Sequence, residues 1–383
     1  MKFNINKWTL GLAAVGAVSM ASAVRADDAP KLSPLQTALS STIISGYVDV
    51  AAQYNPGNQQ GGATTPVTTF GQKGVVDGFS LNSVNIALDK ALDESPWAAG
   101  YHIELNAGQD AINGVSFLPS GSWSGADGGI GVRQAYVALR TPVGNGIDWK
   151  IGAFDGVTGY EANTGYANPN YSRSYGYAVN PASEVGLLGT YKISDEVSVM
   201  LGIANRASGF TPSPSVGSSK DYIAAVSFTA PDKAGFLKGS TLNFGTVQTF
   251  DNGGVNNYSV NATLATPITG FKVGVSYDKV QNLQYEGGDG NIFGVYATLQ
   301  ATDKLSYNLR GEYVDGKNLG FFYVGSGNNG KGEEITATVE YDLWANVVTR
   351  AEFRWDHTET GNGYNSGFNE STYLLALNVV YKF

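Results

Sequence analysis

The 383-residue chain carries 50 Gly, 22 Tyr and no Cys, and only 15% of its residues are charged, against roughly 25% in soluble domains. That balance disfavours a helical protein and favours many strands and turns; without Cys there is no disulfide scaffold, thiolate metal site or thiol nucleophile. A formal charge of −9 argues against nucleic acid as a partner, because phosphate binding wants a basic surface.

The chain begins with Lys2 and Lys7 ahead of the apolar run "WTLGLAAVGAVSM", followed by the small-residue patterns "ASA" and "VRA". Residues 1–26 read as a secretory signal peptide, too short in the apolar core for a spanning helix. Its removal takes away Lys2, Lys7 and Arg25, leaving 21 of the 24 bases against 33 acids, a balance of −12. Residues 27–42 read as a short periplasmic segment, and its "PLQTALSS" stretch suits a short helix or a loose lead-in. No later stretch is apolar for about 18 residues, so no transmembrane helix follows.

From residue 43 a two-residue period takes over. Ile44, Val48, Val50 and Tyr54 alternate with Ser45, Tyr47, Asp49 and Gln53; Tyr101, Ile103 and Leu105 with His102, Glu104 and Asn106; Phe271, Val273, Val275 and Tyr277 with Lys272, Gly274, Ser276 and Asp278. The spacing predicts about sixteen strands, near 43–54, 78–90, 98–108, 130–141, 147–155, 183–193, 196–207, 219–230, 239–250, 256–266, 270–280, 290–301, 305–315, 332–343, 347–358 and 371–383. Fourteen or eighteen are the alternatives, because 55–77, 109–129 or 156–182 has room for a further pair. Segments of about ten residues suit a tilted transmembrane strand, whereas sandwich strands are nearer five or six. Connections alternate in length: "TPVGNG", "SDE", "ATD" and "LWAN" are short, while 55–77, 109–129, 156–182 and 316–331 are long and rich in Gly, Asn and Ser. A soluble sandwich gives no reason for that asymmetry. The expectation is an all-β transmembrane antiparallel barrel over 43–383, embedded in outer-membrane lipid with both termini periplasmic and 156–182 as an inserted loop.

Val132–Tyr191 carries "RQAYVALRTP", "GNG" before a strand, "GAFDGVTGYE", "NPNYSRSY" and "GLLGTY". With "GYVDVAAQYN" at the first strand and the last strand of the chain, these resemble the OmpL-like β-barrel porin family of Gram-negative bacteria. The resemblance implies an outer-membrane porin, names no solute and brings no catalytic residue. The connection 156–182, the longest and the one after strand five, is a candidate for folding into the lumen, as the third long loop, also after strand five, does in sixteen-stranded general porins. Its Glu161, Tyr171, Arg173 and Tyr175 are then candidates for a constriction. The competing reading is an external loop that covers the barrel.

Sixteen strands leave an aqueous channel where about eight would be filled by side chains. The inward sets read as polar on almost every strand. Toward the C-terminus they include Arg310, Glu312, Glu340, Asp342, Arg350, Glu352 and Arg354, candidates for the pore wall, with Asp356 beside them. Facing lipid, an Arg or Lys would cost about 2–4 kcal/mol at mid-bilayer; facing water, rows of both signs set ion preference. The acidic balance favours cations at the mouth.

Catalysis is the rival class, a protease- or lipase-type barrel, and a structural or adhesive barrel is another. The chain has two His, His102 and His357; Asp356 and His357 are strand neighbours on opposite faces, so the carboxylate does not orient the ring. "EGGDGN" (286–291) lacks calcium-loop spacing and reads as a turn. No metal or cofactor is expected. The function read from the sequence is passive diffusion of small hydrophilic solutes and ions.

The chain ends in "STYLLALNVVYKF", with Tyr373, Leu375, Leu377, Val379, Tyr381 and Phe383 on one face. In a barrel this strand must close against the first, since an open edge in lipid leaves backbone groups unsatisfied. The resemblance implies that Tyr381 and Phe383 form the signal read by the barrel-assembly machinery. The sequence does not specify the oligomer; a homotrimer is common among general porins.

Overall fold

The computed structural model describes residues 41–56, 77–112, 129–206, 219–251, 254–283, 288–317, 319, 329–360 and 369–383. The signal peptide, nearly all of the segment before residue 43 and most of the connections 55–77, 109–129 and 316–331 lie outside them. The strands are β1 (Ile43–Tyr54), β2 (Gly78–Lys90), β3 (Ala99–Gly108), β4 (Gly129–Thr141), β5 (Ile147–Asp155), β6 (Ser183–Lys192), β7 (Val197–Asn205) and β8 (Lys220–Thr229). They continue as β9 (Thr241–Thr249), β10 (Asn256–Ala265), β11 (Phe271–Leu283), β12 (Gly288–Gln300), β13 (Leu305–Lys317), β14 (Asn329–Trp344), β15 (Val347–Thr358) and β16 (Ser371–Lys382). Each pairs antiparallel with its chain neighbours, and β16 pairs with β1 to close the ring. Every strand read from the period is present, with edges within three residues. The "EGGDGN" reading needs correction: Gly288–Asn291 continue β12 and pair with β11 and β13, because the ladder outlasts the glycines.

Alternation gives the wall two faces. On β16, Leu377 is 63% exposed while Leu374 and Val380 are wholly buried; the former faces outward and the latter inward. No helix among the described residues is long and apolar enough to cross a membrane, and the ring of strands pairs its backbone groups from neighbour to neighbour around the whole barrel.

Closure depends on the last residue. Phe383 N–H donates to Gly46 O and Gly46 N–H to Phe383 O, both at 3.0 Å. A Cβ on Gly46 would stand 2.7 Å from Cζ of the Phe383 ring and collide with the carbonyl of Asn85. Gly46→Val therefore splays the seam. It is expected to cost about 1–3 kcal/mol, the usual range for overpacking, read as a lower temperature for the heat-induced shift of the folded band in SDS gels.

Two bulges alter the inner face. In β2 the register slips across Asn82, and in β4 across Arg133. Each extra residue turns inward beside its neighbour, so Asn82 with Ser83 and Arg133 with Gln134 are adjacent and all buried.

The inner face is less polar than the alternation predicts. From β5 to β9 the inward side chains Phe154, Leu188, Met200, Ile223, Ala225 and Val247 form a buried apolar cluster with Ala204, against which Tyr136 and Val157 pack. Val280, Ile292 and Val314 form a second with Tyr175, Val179 and Leu319. Ala51, Leu374 and Ala376 form a third with Tyr171. Polar side chains still occupy inward positions on most strands, Asn85, Glu104, Asp221, Asn261 and Arg310 among them, but these apolar positions interrupt them where protein, rather than water, lies against the wall.

Candidate functional site

Chain 156–182 is the protein that supplies much of this cover. Its base is pinned where Gly156 N–H donates to Ala182 O at 3.0 Å. Beside it, the Arg133 guanidinium grips Asp155 bidentately, one arm at 2.8 Å. The chain then leaves the wall. Gly159 N–H donates to Ser259 Oγ at 3.0 Å and Asn261 Nδ2 to Gly159 O at 2.9 Å, so by its fourth residue the loop has reached β10. Tyr160 lies over Gly274 of β11, where the phenol occupies the space a Cβ would need. It stacks on Tyr296 with centroids 4.0 Å apart and hydrogen-bonds Thr263 Oγ1 at 3.1 Å.

Charged wall residues hold the middle of the loop. Arg310 donates to Glu161 at 2.7 Å, to Ser172 O at 2.7 Å and to Glu334 at 2.8 Å. Arg350 pairs with Glu340 at 3.0 Å and donates to Tyr166 O at 2.7 Å. Arg354 pairs with Asp356 at 2.7 Å and donates to Arg173 O at 2.5 Å. Two carboxylates each take a pair of consecutive backbone donors: Glu352 from Tyr171 and Ser172 at 2.6 and 2.8 Å, Glu312 from Tyr175 and Gly176 at 2.5 and 3.1 Å. An irregular chain has no ladder partner for its N–H groups, so buried acceptors must provide one. The Glu residues of the wall do this.

One helical turn, α1 (Tyr175–Val179), ends the run; Ser174 Oγ caps it by accepting Tyr177 N–H at 2.9 Å. Tyr175 donates its hydroxyl to Asp356 at 2.6 Å. Together Val157, Tyr171, Tyr175 and Val179 seat the loop in all three apolar clusters. Burial raises the phenols of Tyr160 and Tyr171 above their ordinary pKa, so both remain neutral.

The loop therefore lies in the lumen, and Glu161, Tyr171, Arg173 and Tyr175 are inside the barrel. All four are at most 8% exposed, facing wall or loop rather than an open passage. Arg173 spends its guanidinium on the carbonyls of Ala162 and Asn163, both at 2.5 Å, and lies 4.4 Å from the centre of the Tyr177 ring. Arg310, Glu312, Arg350, Glu352 and Arg354 converge on the loop, and Glu340 reaches it through its pair with Arg350. Asp342 does not: it sits half-buried near the end of β14, opposite Val348. The alternation overlooks Arg133, although adjacent polar residues inside a strand, "RQ", are the mark of a bulge. His357 is on the outer face, hydrogen-bonded to Ser371 Oγ at 2.9 Å and stacked on Trp355, while Asp356 is buried inward. His102 lies inward against Asp89 at 3.0 Å and Glu104 at 3.4 Å. Among the described residues no group of three or more acidic or His side chains is placed to hold a metal.

A closed sixteen-stranded barrel with a lumen loop invites comparison with known proteins. The anion-selective porin from Comamonas acidovorans superposes with a TM-score of 0.58 at 13% identity, over 90% of this chain and 99% of that one. Salmonella typhi OmpF in complex with daunomycin gives 0.59 at 12% identity, over 89% and 97%. In-vitro folded OmpT of Vibrio cholerae, in its trimer form, gives 0.55 at 14% identity, over 89% and 99%. At these identities the likeness is one of fold. A search of curated proteins finds no match to the sequence. The family profile described as "Putative beta-barrel porin-2, OmpL-like" matches residues 41–383. The chain belongs to this OmpL-like β-barrel porin family and is an integral outer-membrane porin.

Proposed function

We propose that small hydrophilic solutes and ions cross this barrel by passive diffusion, and that chain 156–182 narrows the passage. The observation that carries the reading is a 27-residue connection (156–182) held inside a closed barrel by wall arginines and glutamates. In this reading Glu161, Tyr171, Arg173 and Tyr175 fix the shape of the constriction, and Arg310, Glu312, Glu340, Arg350, Glu352 and Arg354 hold it in place. Asp342 contributes charge near the rim. No chemistry is assigned: His357 faces away from Asp356, and diffusion needs neither a nucleophile nor a coupled ion.

In this reading both termini are periplasmic, which the even strand number and the short turns at one rim support. Residues 1–26 act as the export signal and 27–42 as a periplasmic lead-in. Tyr381 and Phe383 serve as the assembly signal, and the trimer form of one structural neighbour supports a homotrimer.

Refolded protein in planar bilayers is expected to give discrete steps whose conductance rises with salt concentration. Folded protein that gives no steps refutes the channel. Crosslinking in detergent is expected to trap a three-chain species; a ladder that stops at one chain refutes the trimer.

A further inference from the structure

The inner wall holds charge outside the buried network. Around the loop, Arg310, Glu334, Arg354 and Asp356 side chains are 0% exposed. Toward the short turns the wall opens: Arg140 and Asp148 side chains are 28% and 37% exposed. Within this turn-side half, the strands from β4 to β11 place three lysines on the inward face. Lys150 pairs with Ala138 and Leu188, and the Leu188 side chain is inward. Lys192 follows Leu188 and Thr190 on the same face, opposite Ser198. Lys272 stands opposite Thr298, whose hydroxyl meets Asn308 within the lumen.

The same stretch has one inward carboxylate among the described residues, Asp148, and Arg140 holds both its oxygens at 2.6 and 2.8 Å. The Lys150 ammonium lies 4.8 Å from the centre of the Tyr136 ring. The carboxylates whose field reaches it, Asp155 and Asp89, are engaged by Arg133 and His102. Across the lumen Glu340 is paired with Arg350, and Asp342 and Lys382 add one charge of each sign. The turn-side half of the lumen is thus biased positive, most strongly from β4 to β11, although the chain as a whole is acidic.

With the lumen taken as the conduction path, as proposed above, we propose that Lys150, Lys192 and Lys272 form a basic arc. The arc draws small anions (halides, phosphate, short carboxylates) into the lumen and makes the channel anion-preferring. A low-dielectric wall concentrates the field of such a row where ions pass, whereas charges on distant outer loops are screened within about 8–10 Å at physiological salt. The expectation of cation preference drawn from net charge is thereby reversed.

The test is the reversal potential across a KCl gradient in planar bilayers. Wild type is expected to favour chloride. Replacing all three lysines by Gln should lower the chloride-to-potassium permeability ratio by about threefold or more, a size set by loss of a whole charge row. The triple Arg variant, which keeps the charges, should retain the wild-type ratio, as should Lys238→Gln in the exposed turn between β8 and β9. A conducting wild type that favours potassium overturns the arc, and so does an unchanged ratio in the Gln variant. A wild type that does not conduct instead overturns the channel reading, and it is recognised before any ratio is measured.

Discussion

Deleting residues 168–175 should raise single-channel conductance several-fold and admit larger solutes in liposome-swelling assays. The excised stretch contains the Tyr171 and Ser172 donors to Glu352, the Tyr175 donor to Glu312 and the Tyr175 hydroxyl on Asp356. Once it is gone, both Glu side chains face water, where an ionised carboxylate is at no disadvantage. The barrel is expected to survive, since the sixteen-strand ring is closed by its own ladders. The folded and heated bands in SDS gels check that the deletion variant is assembled. An assembled variant with wild-type conductance would mean that the loop lies beside the path rather than across it.

Arg310→Met is the second large effect. The guanidinium bridges Glu161 on the loop and Glu334 on β14, and also binds Ser172 O and Thr336 Oγ1. All three charged side chains are at most 1% exposed. Removing one member of a buried ionic group leaves the others uncompensated and costs about 3–5 kcal/mol. The loss falls on the loop before it falls on the ladder. Arg173, protected at 2% exposure in the folded protein, should become a trypsin site in the variant, with mass spectrometry identifying the cut. Combining Arg310→Met with Glu161→Gln and Glu334→Gln should restore part of the protection, because the orphaned charges leave together. Protection of Arg173 in Arg310→Met as strong as in wild type would show that the apolar anchors alone hold the loop.

The wall was legible because its physics is local. A strand between lipid and lumen must alternate, so β1, β15 and β16 could be read residue by residue, and "TPVGNG" or "LWAN" marked the turns. The inner surface was legible only where it is charged. Leu188, Met200, Ile223 and Val247 break the pattern that assumes water inside, and nothing in their own strands announces the chain that packs nearby. Arg133 was hidden by the bulge, which shifts the period by one residue. Arg173 was read as a constriction candidate from its place in the loop, but its bonds to the carbonyls of Ala162 and Asn163 had no signal in the sequence. The apolar inner positions and Arg133 escaped the reading because their surroundings come from far along the chain or from across a register slip.

The loop's anchorage also constrains how the ring can form. The bonds of Tyr171 and Ser172 to Glu352 join residues 181 and 180 positions apart, and that of Arg310 to Glu161 spans 149. Tyr171 packs at once on Ala51 of the first strand and Leu374 of the last. Contacts so remote in sequence form late, after the intervening strands are laid down. The loop's anchors and the seam are thus set together, late in closing the ring. Once Gly46 and Phe383 are joined, withdrawing the loop means breaking its buried ion pairs or reopening the seam itself. A barrel tied in this way comes apart slowly whatever its equilibrium stability, and its persistence in the membrane is a matter of rate.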